Sequence, residues 1–104
     1  MLDKATVIDL AKQYAAEVQK VFKPSQIVLY GSYSKGAAHK DSDIDIAVVL
    51  NGFSGDYLEA SKTLYKLRRN VSFDIEPVLI DGAKDDQSGF IHEVMRTGEV
   101  IYHE

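Results

Sequence analysis

The chain has 104 residues, 45% hydrophobic and 27% charged, with a formal net charge of −4 and no cysteine. That length predicts one domain, residues 1–104, while the lack of cysteine, of a secretory leader and of any apolar run near the about 20 residues a membrane helix needs makes a cytoplasmic protein the expectation. The acidic balance argues against a nucleic-acid polymer as substrate, because proteins that hold phosphate backbones present a basic face; small nucleotides or a protein partner fit better.

Val7, Ala11, Tyr14, Val18 and Val21 recur at helical spacing, with Ile8, Leu10, Ala15 and Phe22 beside them, and Pro24 closes the segment. The spacing predicts a core-facing amphipathic helix. Gln26 to Tyr30 then reads as a short buried strand that stops at Gly31, where the chain can turn without a Cβ clash. If Tyr33 to Ala37 forms a short helix, backbone N–H groups near Ser32 are among its unpaired N-terminal donors and, with the Ser32 hydroxyl, suit a phosphate. Lys35 has two readings, a solvated helix residue or a phosphate contact. His39 reads as an exposed loop residue, and Asp41 as turn chemistry ahead of a strand.

Asp43 to Leu50 is an apolar strand opened by two acids. Side chains at i and i+2 share a strand face, so Asp43 and Asp45 project together while Ile44 and Ile46 turn into the core. Two carboxylates held that close repel each other, an arrangement that makes sense around a divalent cation such as magnesium.

Asn51 to Asp56 reads as a loop, and Tyr57, Ala60, Leu64 and Leu67 as a second helical stripe ending near Arg68-Arg69-Asn70, whose arginines complement the helix C-terminus, with nucleotide or partner binding as their other reading. Ser72 to Ile80 is the next predicted strand, with Phe73, Ile75 and Leu79 on one face, Asp74 and Glu76 on the other, and Pro77 marking an edge or bulge. A right-handed parallel crossover then sets the Asp74 face beside that of Asp43 and Asp45. After a polar loop from Asp81 to Ser88, Phe90, Ile91, Val94 and Met95 predict a last helix ending at Gly98. Val100 to Tyr102 adds a short extended piece, and His103 and Glu104 read as frayed.

Gly31-Ser32, the small helix ending at Gly36 and Ser42-Asp43-Ile44-Asp45 together resemble the signature of the DNA polymerase beta-like nucleotidyltransferases, in their minimal nucleotidyltransferase branch and its antitoxin type. The resemblance implies an α/β (α+β) fold, a small mixed sheet flanked by helices. It implies two magnesium ions on Asp43, Asp45 and a third acid, with Gly31, Ser32 and Lys35 at the nucleotide. By family analogy the third acid is Asp74: its shorter side chain is better fixed, it follows an apolar residue, and Glu76, about 7 Å along the same face, precedes Pro77 and lines the rim. The implied reaction moves a nucleoside monophosphate, AMP from ATP, onto a hydroxyl acceptor. The implied acceptor is a tyrosine of a small helical HEPN-type toxin partner, and a homo-oligomer is compatible with the pattern. The other reading is a nucleotide-binding antitoxin module that acts by docking alone.

Overall fold

The computed structural model describes residues 3–31, 33, 43–82 and 89–104. Ser32, Lys35, the short helix expected after Gly31 and most of the loop expected before the last helix lie outside them.

Helix α1 spans Lys4–Gln19, and the Asp3 side chain caps it by accepting from the Thr6 N–H at 2.7 Å. Val7, Ala11, Tyr14, Ala15 and Val18 form its buried stripe. The helix stops at Gln19, so Val21, expected in that stripe, lies past its end and is 54% exposed. Strand β1, Gln26–Tyr30, is followed by β2, Ile44–Leu50, then by α2, Tyr57–Leu67, which Asp56 caps. A single 3₁₀ turn, Arg68–Asn70, leads to β3, Ile75–Asp81, with α3, Phe90–Thr97, and β4, Glu99–His103, completing the order. The expected strand containing Phe73 begins only at Ile75, which leaves Phe73 in the preceding turn, 67% exposed instead of in the core.

The four strands form one mixed sheet in the order β3-β2-β1-β4, with β2 and β3 parallel and the other pairs antiparallel. The expected parallel crossover through α2 is therefore present. The expected short extended piece at the end of the chain is a full strand: His103 pairs with Gln26, and the Glu104 N–H donates to the Ser25 carbonyl at 3.1 Å, so this end is paired and not frayed.

Strand alternation sorts the apolar side chains onto two faces. Ile27, Leu29, Ile44, Ile46, Val48, Ile75 and Leu79 face α1 and α2, while Val28, Ala47, Val49 and Ile80 pack with Val94 of α3. The larger cluster is held together across helices by the buried Tyr14 hydroxyl, which donates to the Leu64 carbonyl of α2 at 2.7 Å. Pro77 sits in edge strand β3, as its missing donor requires. Among the described residues no helix is long and apolar enough to cross a membrane.

The Tyr14 bond joins two helices through an otherwise apolar core. Tyr14→Phe should lower stability by about 1 kcal/mol, seen as a melting temperature reduced by roughly 4–8 °C for a domain of this size.

Candidate active site

The ladder from β1 through β2 to β3 sets three side chains in a row at one end of the sheet. Tyr30 pairs with Asp45, and Asp45 pairs with Glu76. Their parity is that of Val28, Ala47 and Ile80, so all three belong to the α3 face, at the level where β1 ends and the parallel pair β2 and β3 begins. Asp43 lies one residue ahead of β2, on the same face by alternation.

Gly31 makes the turn that opens this end. Its φ of +75° is left-handed backbone that favours glycine, and a Cβ built there would run into the Asp45 carboxylate. Two residues on, Tyr33 is buried in the α1 and α2 cluster. The turn and the acid are thus packed against each other, with no room between them for a side chain.

Asp74 and Glu76 occupy different positions. Asp74 precedes β3 and is exposed; its carbonyl accepts the Ile44 N–H at 2.8 Å and its own N–H donates to the Ser72 hydroxyl at 3.1 Å. Glu76, expected on the rim, is the acid that the register sets beside Asp45. It is held from the side of α2. The Tyr65 hydroxyl donates to Glu76 Oε2 at 3.1 Å, and Arg68 Nη1 lies 3.4 Å from Oε1. Arg68 also donates to the carbonyls of Phe73 and Ile75 at 3.3 and 3.0 Å, and its guanidinium lies over the rings of Tyr65 and Phe73 at 4.9 and 5.8 Å. The sequence placed Arg68 first at the helix C-terminus, with nucleotide or partner binding as its second reading, and pointed to no role for Tyr65. The available signal was their i, i+3 spacing on one helix face immediately ahead of an acidic strand.

The row gathers negative potential around half-buried groups. Burial first, then the carboxylates of Asp43 and Glu76, push the Asp45 carboxyl above the usual carboxylate range. Burial, with Asp45, Tyr65 and Glu76 adding negative potential, pushes the Tyr30 phenol up to about 12. Tyr30 meets Phe90 edge to face at 5.7 Å, closing the α3 side of the site. Among the described residues no group of three acids or histidines is gathered closely enough to hold a metal ion as it stands; Glu76 is turned toward Tyr65 and Arg68. Asp43 and Asp45, hard oxygen donors on one strand face, nonetheless fit magnesium chemically.

This arrangement has parallels in known proteins. The polymerase beta nucleotidyltransferase family model matches residues 12–104. No match is found among curated proteins. A Sulfolobus solfataricus protein assigned as a nucleotidyltransferase superposes with a TM-score of 0.72 over 97% of this chain and 84% of its own, at 18% identity, a likeness of fold. A toxin–antitoxin structure containing AMP-PNP superposes with a TM-score of 0.62 at 28% identity, covering 99% of this chain and 75% of the other. An MntA–HpeT toxin–antitoxin mutant, with two aspartates two positions apart exchanged for glutamate, gives 0.60 at 26% identity over the same shares. A glycine turn closed on the second acid of an Asp-x-Asp strand, on this sheet and under this family model, places the chain in the polymerase beta nucleotidyltransferase family, among folds shared with the minimal nucleotidyltransferases.

Proposed function

We propose that the protein is a magnesium-dependent nucleotidyltransferase that moves a nucleoside monophosphate, AMP from ATP, onto a hydroxyl acceptor. The observation that carries this reading is the row running from the Gly31 turn through Asp45 to Glu76. In-line transfer needs a leaving group, a phosphorus and a nucleophile along one line, and three adjacent strands supply three stations in that order. The Gly31 turn, with Ser32 and Lys35 after it in the sequence, is the station for the triphosphate tail; Asp43 and Asp45 lie at the reacting phosphate; Glu76 lies where an acceptor hydroxyl would approach. Asp43 and Asp45 would hold the magnesium ions, which when bound supply neutralisation of the phosphate charge and of these carboxylates. The third-acid role goes to Glu76 in place of Asp74, because Glu76 is the acid beside Asp45 and already accepts a hydroxyl proton donor.

The acceptor we propose is a tyrosine of a HEPN-type toxin partner. The two toxin–antitoxin neighbours support a toxin partner. So does a groove of about 440 Å³ between α2 and Phe73, with Leu58 and Tyr65 in its lining and Lys62, Lys66 and Arg69 around it. The second reading is an antitoxin that docks without catalysis, which the same groove would serve; the Gly31 turn closed on the Asp45 carboxylate, with Glu76 beside it, favours the first. Incubation with α-labelled nucleoside triphosphates, magnesium and a lysate of the native cell decides between them. A labelled protein is expected, and binding of a partner without any labelled product would leave only the docking reading.

Three measurements test the site. Calorimetry should register magnesium-dependent ATP binding that is lost in the Asp43→Asn, Asp45→Asn double variant; unchanged affinity would remove the metal site. Single-turnover transfer should fall by orders of magnitude in Glu76→Gln and far less in Asp74→Asn, and the reverse ranking would restore Asp74 as the third acid. Asp45 also predicts a pH dependence. A carboxyl raised on folding favours the folded state when protonated, and that stability is lost as pH rises through the raised folded value. Asp45→Asn should therefore raise the melting temperature of the metal-free protein at neutral pH, with the gain fading in acid; a variant less stable than wild type at neutral pH would contradict this.

A further inference from the structure

We propose that Tyr65 is itself an acceptor, so that the protein transfers a nucleoside monophosphate onto its own chain. The inference rests on the nucleotidyltransferase reading above and adds a substrate to it. Glu76 is the acid at the nucleophile station, and its Oε2 already accepts the Tyr65 hydroxyl at 3.1 Å. This is the relation that any acceptor hydroxyl must reach before its proton can be taken.

The order of the sheet fixes the direction of approach. Edge strand β3 lies between β2 and the free edge that Tyr65 overlooks from α2, so the sequence across the site is Gly31, Asp45, Glu76, then the Tyr65 hydroxyl. A triphosphate whose tail occupies the Gly31 turn presents its α-phosphorus toward that hydroxyl, with the leaving pyrophosphate on the far side. Tyr65 is 41% exposed, so its ring edge is open to a ligand. Its orientation is held by the Arg68 guanidinium stacked 4.9 Å from its centroid, and the same guanidinium occupies Glu76 Oε1, leaving Oε2 to the phenol.

The other tyrosines with visible partners are committed elsewhere. Tyr14 donates to the Leu64 carbonyl and Tyr57 to the Leu79 carbonyl, while Tyr30 stands on the β1 side, at the leaving-group end. Among the described residues, Tyr65 is the tyrosine whose hydroxyl meets a carboxylate.

In the step itself, the Tyr65 oxygen attacks the α-phosphorus of a nucleoside triphosphate and its proton passes to the Glu76 carboxylate. A phosphorus–oxygen bond to the phenol forms. The bond from the α-phosphorus to the bridging oxygen breaks, and pyrophosphate leaves with that electron pair. The product is an aryl phosphodiester at the mouth of the site.

The test uses the purified chain with α-labelled ATP and magnesium, once alone and once with free tyrosine added, followed by intact-mass measurement and peptide mapping. The expected result is one nucleoside monophosphate per chain on the peptide carrying Tyr65, formed at a rate independent of protein concentration, as an intramolecular step requires. Label should be lost in Tyr65→Phe, which keeps the ring against Arg68, and the wild-type peptide map stands even if that variant is unstable. Label on another residue, a rate that rises with protein concentration, undiminished labelling of Tyr65→Phe, or transfer to free tyrosine with Tyr65 unmodified would each overturn the proposal while leaving the nucleotidyltransferase reading intact. No transfer to any acceptor, together with no ATP binding by calorimetry, would remove both.

Discussion

The site depends on one pairing, Asp45 opposite Glu76 in the parallel ladder of β2 and β3. Side chains alternate along a strand, so a slip of one residue would turn Glu76 into the α1 and α2 core and bring Ile75 to the acid face. The hydrophobic pattern forbids that slip. Ile75 and Leu79 are buried on the helix-covered face and Ile80 on the other, and exchanging them for Glu76 and Val78 would bury a carboxylate without a partner. Core packing therefore sets the positions of the charged groups, and the acids need contribute nothing to the register they occupy.

The cost of placing the carboxylates together is spread over neighbours of different kinds. Gly31 gives Asp45 space, the Arg68 guanidinium offsets Glu76, and Asp43 stays exposed ahead of its strand. Among the described residues Asp45 is half-buried beside two other carboxylates, and burial and those carboxylates raise its carboxyl. Among the described residues it stands at the centre of the row, where the reading above puts the reacting phosphate.

Much of the fold was legible from periodicity. Gln26 to Tyr30 matched its strand to the residue, α2 and α3 fell on their apolar stripes, and Pro77 marked an edge. The misreadings share a cause. Val21, Phe73 and His103 were judged from local composition, but whether an apolar residue is buried or a chain end is paired depends on what lies opposite: helix α1 ended sooner, β3 began later, and β1 offered a free edge to β4. The site was legible as a pair of acids after a glycine turn, because that grouping is local. The contact of Tyr65 and Arg68 with Glu76 crosses from a helix to a strand edge, and no spacing rule relates a residue to another eleven positions away through a turn of that shape.

The outer edge of β3 is closed to backbone pairing. In a parallel strand the N–H and C=O of a residue point the same way, and the Ile75 and Leu79 carbonyls on this edge are taken by Arg68 and the Tyr57 hydroxyl. Pro77, of the same parity, offers no N–H there. An incoming chain that tried to extend the sheet beside the acids would find its acceptors occupied and a donor missing, so strand addition, a common way for one protein to grip another, is blocked on that side. Whatever meets the protein next to Glu76 must be recognised through side chains, which confines selectivity there to the aromatic and basic surface of α2.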